Sequence, residues 1–342
     1  MNGSLSKKFP PKNKTPQSLP IRKMPLSIEN WKSFLKFLQL GCGLLGAVSN
    51  SILILLIIFC SPKNLGAYKY LMIYISVFET FYCLLDADVE PHTFAYGPAF
   101  TVFRSSKNTK SEKADGFYKL SVWCGTFGLS IALFAVHFIY RYGAADLAFR
   151  KKYLAGKKLL ILFLVPLIYM VWWMAVVVTM FQPSPESDEF MRIPFLRRYD
   201  TQVEHIAYVI VWFYTPRGDL ILPTFLAVVC NWFMMFTSFF CVVYFGIKCY
   251  LKITKALKTS KMSSYYTKSI QNQLFQALVM QTLIPFLLMY APVGMLFFFP
   301  MLNMNVGFIS SFVAATIAIY PAVDPLPTMF IVKNYRKTIL CK

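Results

Sequence analysis

Carboxylates inside long apolar runs are the first residues in this sequence that could do chemistry. Glu79 falls near the middle of one such run, and Asp86, Asp88 and Glu90 follow toward its end. Asp324 lies inside another run, within Tyr320-Pro321-Ala322-Val323-Asp324-Pro325-Leu326-Pro327. An ionisable group at membrane depth is costly unless paired or wetted, so each is a functional candidate by default. The alternative for each is a structural hydrogen bond between helices, or simple protonation. Proline removes a backbone donor, and a broken, polar segment suits a helix that bends between two states. Pro285 and Pro292 give a further run the same capacity. The switch candidates are therefore Glu79, Pro285, Pro292, Pro321, Asp324 and Pro325.

Other chemistry is sparse. The eight cysteines are spread along the chain and none falls in the loops after the second, fourth and sixth runs. His92, His137 and His205 are isolated in sequence, and no spacing resembles a metal site. No Ser/His or Asp/Asp pair sits at facing depths. We expect no metal site and no intramembrane hydrolysis.

The elements that must hold these residues are the apolar runs themselves. Hydrophobic residues are 57% and charged residues 15%, against roughly 25% charged in a globular chain. Seven runs are long enough to cross a bilayer: Phe37 to Cys60, Leu71 to Glu90, Leu120 to Tyr140, Leu159 to Phe181, Leu220 to Ile247, Leu274 to Pro300 and Val306 to Val332. Backbone groups in lipid must be paired within their own segment, so the runs are expected to be helices. The short alternating strands of a barrel are not seen. The expected fold is all-α, a polytopic membrane protein with a bundle of seven transmembrane helices. It divides into a disordered extracellular N-tail over 1–35, the seven-helix domain over 36–332 and a short cytoplasmic C-tail over 333–342. Residues 1–33 lack the apolar core of a signal peptide, so the first run is expected to direct its own insertion.

Loop charge orients the bundle. Loops 1, 3 and 5 and the C-tail are dense in lysine and arginine and hold one acid, Asp146. Loop 4 carries Glu186, Asp188, Glu189, Asp200, Glu204 and Asp219. The positive-inside rule then puts loops 1, 3 and 5 in the cytoplasm and the N-terminus outside. Sequons at Asn2 and Asn13 fit a lumenal tail as glycosylation candidates. The basic N-tail argues the other way. The net charge of +20 is read as attraction to anionic membrane lipid and a cytoplasmic partner, not to nucleic acid.

Several blocks in order then carry a resemblance. Ser61-Pro62-Lys63-Asn64-Leu65-Gly66-Ala67-Tyr68-Lys69-Tyr70-Leu71-Met72-Ile73-Tyr74, Phe78-Glu79, Trp123-Cys124-Gly125 and His137-Phe138-Ile139-Tyr140-Arg141-Tyr142 come first. Leu274 to Pro285, Tyr320 to Pro327 and Asn334-Tyr335-Arg336 complete the set. Over about residues 31–342 the chain resembles nematode serpentine seven-transmembrane chemoreceptors of the str class. The resemblance implies a G-protein-coupled chemosensory receptor in the plasma membrane, in sensory neurons and their cilia, with no cofactor and no enzymatic step. Its partners would be a small odorant or soluble chemical, a heterotrimeric G protein and membrane lipid. Tyr140-Arg141-Tyr142 stands where rhodopsin-like receptors have Asp-Arg-Tyr. The N-tail is longer and more basic than the class suggests, which makes Met24 an alternative start and sets residues 1–23 apart.

On that reading ligand sits between the outer halves of spans three, five, six and seven. The candidates are Trp123, Cys124, Thr126, Met289, Tyr290, Met295, Ser310 and Ser311; ordinary packing is the alternative for each. Ligand must favour one helix arrangement, since equal affinity for two shifts nothing. The change is expected to open the inner face, where Tyr140, Arg141, Tyr142, Lys252, Lys255 and Lys258 are the G-protein coupling candidates. A rival reading is a ligand-gated cation channel of seven spans with the N-terminus inside. The basic tail favours it; the loop charges, sequons and block resemblance oppose it. A transporter would show paired repeats with matching broken helices, which this chain does not.

Overall fold

The computed structural model describes residues 28–61, 68–107, 109–258 and 265–341. The elements in chain order are α1 (Ile28–Cys60), α2 (Tyr68–Val89), β1 (His92–Tyr96), β2 (Ala99–Ser105), α3 (Lys110–Ala145), α4 (Leu147–Tyr153), α5 (Lys157–Met180), α6 (Pro185–Tyr199), β3 (Ile206–Trp212), α7 (Leu222–Lys258), α8 (Tyr265–Pro285), a π turn (Phe286–Tyr290), α9 (Ala291–Met301), α10 (Phe312–Val323), α11 (Pro325–Ile331) and α12 (Lys333–Ile339). Among the described residues seven helical segments are long and apolar enough to cross a membrane. They are α1, α2, α3, α5, α7, the α8–α9 unit and the α10–α11 unit. The face bearing loops 2, 4 and 6 is called the N-terminal face, and the opposite one the C-terminal face.

Helix α3 is the axis of the bundle. The apolar part of its span is 89% buried, against 17% for α5. A helix that α3 must touch closely needs small residues at the contact. Gly125 and Gly128 supply them: a Cβ on Gly128 would lie 2.9 Å from Trp173 Cβ, and one on Gly125 3.1 Å from Met170 O. The hydroxyl of Thr109 caps the start of α3 by accepting from Glu112 N. Asp146 closes its other end and at once caps α4, accepting from the backbone N–H of Ala148 and Phe149.

Three strands in loops 2 and 4 were not expected. They form an antiparallel sheet in the order β1-β2-β3 across the N-terminal face. Gly97, at positive φ, makes the β1–β2 turn possible. The alternation was invisible because both sheet faces are covered. Phe100, Val102, Val209 and Val211 point into the bundle core. Phe94, Phe103, Tyr208 and Ile210 pack under α6 on Met191, Phe195 and Tyr199. A strand buried on both sides reads as a plain apolar run.

Several boundaries also move. Residues 28–35, assigned to the tail, are the first turns of α1, where Trp31 packs edge-on against Phe312 at 4.8 Å. Helix α3 runs well past the expected Leu120 to Tyr140 at both ends. Residues 252, 255 and 258, expected in loop 5, lie on α7, which outlasts its apolar stretch. The C-tail is largely helical, as α12. The sequons at Asn2 and Asn13, and Met24, lie outside the described residues.

Candidate functional site

Three features run down one axis of the bundle: a small cavity under the sheet, a buried carboxyl pair at mid-depth, and an arginine buried near the C-terminal face.

The carboxyl pair follows from the prolines. A proline at position i leaves the carbonyl at i−4 without its helical partner. Pro325 thus frees the carbonyl of Pro321, and Asn50 Nδ2 on α1 donates to that oxygen at 3.1 Å and to Gly46 O at 3.1 Å. Ser49 Oγ reaches Ala322 O at 3.5 Å. Gly46 lets α1 come this close, for a Cβ there would lie 3.4 Å from Pro321 O. Beside this break Asp324, fully buried, takes hydrogen bonds from Gln281 Nε2 to Oδ2 at 3.2 Å and to its carbonyl at 3.3 Å. Glu79, 1% exposed, meets Asp324 side chain to side chain and also meets Asn50. Two carboxylates in contact in an apolar interior cannot both carry charge at tolerable cost. The sequence named Glu79 and Asp324 but not that they touch, and it missed Asn50 and Gln281. The carbonyl freed by Pro325 was the signal for a donor such as Asn50. Pro285 and Pro292 bracket the π turn, which interrupts the sixth span.

Above the pair lies a cavity of about 60 Å³. Its walls come from α3 (Trp123, Cys124, Phe127), α5 and its C-cap (Trp173, Val177, Phe181), α9 and the first half of α10, and its roof is the sheet. Trp123 Nε1 donates to Asp86 Oδ1 at 2.8 Å, which accounts for one further acid. Asp88 and Glu90 pair at the surface with Lys119 and Lys36, at 3.4 and 2.8 Å. The eight ligand candidates divide. Trp123 and Cys124 line this cavity. Thr126 spends its hydroxyl on Trp123 O at 2.6 Å. Met289 is buried between Tyr82 Oη and Ser130 Oγ, at 3.9 and 4.0 Å from its sulfur. Tyr290 faces a different concavity, between α3, α7 and α8. Met295 is 38% exposed on the outer surface. Ser310 and Ser311 fasten the sheet instead of lining the cavity. Ser310 Oγ accepts from Ala95 N at 3.0 Å, its carbonyl accepts from Thr93 Oγ1, and Ser311 Oγ meets Tyr199 Oη at 3.1 Å. The sheet fills the place the sequence left for ligand, so those two hydroxyls meet protein.

His92 is a titratable group on the α6 side of this roof. Its ring stacks on Phe103 at 5.2 Å and lies edge-on to Tyr199, and its Nδ1 is buried without a hydrogen bond. Burial first, and the Lys32 charge second, lower its pKa to about 4. A histidine whose folded pKa is depressed stabilises the fold at high pH. That contribution falls as pH drops below the unfolded value of about 6.5 toward 4. After correction for intrinsic rates, amide exchange in β1 and β2 is expected to quicken between pH 7 and pH 5. In His92→Phe the extra quickening should vanish; its persistence would place the titrating group elsewhere.

At the C-terminal face Arg141 is 1% exposed. Its guanidinium carbon lies 4.9 Å from the centre of the Tyr68 ring. Tyr68 Oη is 2.6 Å from His137 Nε2, and Tyr140 stacks on Tyr68 at 5.7 Å. Tyr142 Oη donates to Asp146 Oδ2 at 3.3 Å, and Lys252 Nζ reaches the same oxygen at 2.8 Å. The hydrogen bonds from Lys252 and the Phe149 amide hold the Asp146 carboxyl down at about 2. Lys255 is exposed on α7; the side chain of Lys258 lies outside the described residues. Of the coupling candidates, Tyr140 and Arg141 are thus sealed under α2, and Tyr142 and Lys252 tie α3 to α7.

Comparison with known proteins agrees with this architecture. The chain is 36% identical to the Caenorhabditis elegans "G-protein coupled receptor str-217" over 306 residues, 89% of this chain and 88% of that one. It is 30% identical to "Serpentine receptor class r-10" of the same species, covering 81% of each. The fold is similar to squid rhodopsin, with a TM-score of 0.54 at 11% identity, over 96% of this chain and 87% of that one. The family model for the serpentine type 7TM GPCR chemoreceptor Str matches residues 35–340. The inverted channel has no support among these matches, and the chain belongs to the Str family of serpentine seven-transmembrane G-protein-coupled chemoreceptors.

Proposed function

We propose that this receptor detects a small, largely apolar environmental molecule in the cavity under the sheet and signals to a heterotrimeric G protein at the C-terminal face. The observation that supports it best is the position of that cavity. Four spans and the sheet converge there on carbon and aromatic surface with few polar groups, as small-molecule sites do. At about 60 Å³ it is small, which suits a resting state that ligand must widen. The carboxyl pair and the α10–α11 break lie between the cavity and Arg141, where a change in helix arrangement would pass. On this reading the N-terminus is extracellular, Asn2 and Asn13 carry glycans, and the receptor sits in the plasma membrane of a sensory cilium.

Calcium imaging of expressing cells against a panel of volatile and soluble compounds is the test. Cys124→Phe fills the cavity from a half-buried position on α3 and is expected to raise the half-maximal dose at least tenfold at unchanged surface level. An unchanged dose–response would remove the ligand from this cavity. An N-terminal tag is expected to stain intact cells, and staining only after permeabilisation would reverse the topology.

A further inference from the structure

The concavity that receives Tyr290 is distinct from the cavity under the sheet. Its volume is about 620 Å³, and it lies between α3, α7 and the α8–π turn junction. Its floor is Ile131, Phe134 and Phe138, all buried on α3. Its rim is Phe236, Phe239, Leu283 and Phe286, which are 65, 55, 46 and 42% exposed. These rim residues are in the middle of their spans, so the opening is sideways, into the bilayer. Phe239 and Phe286 stack across it at 6.5 Å.

The lining selects hydrocarbon. No charged residue contributes, and the hydroxyls are those of Ser238, Thr282 and Tyr290. Thr282 Oγ1 is already committed to Leu278 O at 2.9 Å. At this depth the surrounding medium is lipid chain. Helix α7 then carries Lys248, Lys252 and Lys255 beyond Val242, the groove's last α7 residue toward the C-terminal face. At a helical rise of about 1.5 Å per residue they lie roughly 9 to 20 Å further along. Half the hydrocarbon thickness is about 15 Å. A chain lying in the groove therefore brings its headgroup level with these lysines, which attract negative charge.

We propose that the groove binds one acyl chain of an anionic phospholipid from the leaflet at the C-terminal face. Tyr290 and Phe286 belong to the π turn and also line the groove, so an occupied groove braces the hinge of the sixth span. The site is separate from the cavity under the sheet and does not depend on the odorant reading.

The test uses the full chain in lipid nanodiscs doped with a phosphatidylglycerol bearing a mid-chain diazirine, followed by irradiation and peptide mass spectrometry. Adducts on 235–242 and 279–291 are expected at five times or more the yield on the exposed α1 residues Phe37, Leu44 and Phe59. The same diazirine chain on phosphatidylcholine should label the groove at least fivefold less. Thr282→Trp fills the groove and should abolish the excess, with Ser238→Leu as a second filler where the tryptophan variant fails to fold. Groove yield no greater than on α1, equal yield from the two carriers, or excess labelling that survives in a folded filler variant would each overturn the proposal.

Discussion

Asp324→Asn is expected to insert normally and to shift basal activity or ligand sensitivity by roughly tenfold, within the usual 5- to 150-fold range of coupling between sites. The reason lies in what the side chain touches. Asparagine can still accept from Gln281 Nε2 and can donate an amide hydrogen toward Glu79, so the helix break keeps its partners. What it loses is the ability to share a proton with Glu79. The two carboxyls face three helices, and how well they share a proton depends on how α2, α8 and the α10–α11 break are spaced. Glu79→Gln removes the same proton sharing from the other side. The double variant should therefore match either single instead of summing them, since residues in one network are not additive. Asp324→Leu is expected to fall in surface level instead, because Gln281 loses its side-chain acceptor and Glu79 its partner in a buried setting. Dose–response curves normalised to surface receptor decide the matter: a silent Asp324→Asn would reduce the pair to a structural hydrogen bond.

Much of this site could be read from residue types alone. Acids in apolar runs are rare and costly, so Glu79, Asp86 and Asp324 stood out before any coordinates. Their pairing did not, because it depends on which way each helix is turned. Gly46 lets α1 approach the broken helix, and Asn50 there meets both Glu79 and the carbonyl that Pro325 frees. The seven spans were legible for a simpler reason: hydrocarbon demands long apolar runs and leaves few alternatives. Span ends were less legible, since helices continue past the bilayer wherever propensity and capping allow. Lys252 and Lys255 illustrate this, lying on α7 where a basic loop was expected.

The N-terminal face was the hardest part to read. Ile206-Ala207-Tyr208-Val209-Ile210-Val211 alternates between two apolar surfaces, so no polar stripe marks it as a strand. Ser310 and Ser311 looked like ligand contacts because they are hydroxyls in the outer half of a span. Only the register of β1 shows that they serve the sheet. The roof itself gives the resting state a physical meaning. It is sewn to Ser310, just before α10, by Thr93 and Ala95, and α6 above it is tied by Tyr199 to Ser311 and to Lys32 of α1, whose Nζ donates to Tyr199 O at 2.8 Å.

Arg141→Met is expected to abolish signalling while most receptor still reaches the surface. Methionine fills much of the arginine's buried volume and adapts to irregular space, whereas alanine would leave a cavity and lower the surface level as well. Arg141 is a coupling candidate at an inner face expected to open, and in this structure it is buried. At 1% exposure it can meet a partner only after leaving the face of Tyr68. A cation over an aromatic face contributes about 0.5 to 2 kcal/mol, which at 1.4 kcal/mol per tenfold is up to a factor of about 30 in the resting equilibrium. Tyr68→Leu removes that face and is expected to raise basal signalling by some part of this factor. Tyr68→Phe keeps the face and loses only the hydrogen bond to His137, so its rise should be smaller. Lys252→Ala frees Asp146 and loosens the α3–α7 tie, with a modest rise, because that pair is half exposed and such bridges contribute little. Combining Tyr68→Leu with Arg141→Met should return a silent receptor, since the released group is the one that acts. Basal and agonist-driven second-messenger output per surface receptor separates these cases. Normal output from Arg141→Met would show that coupling runs through other groups, and constitutive output from the double variant would show that Tyr68 restrains something besides Arg141.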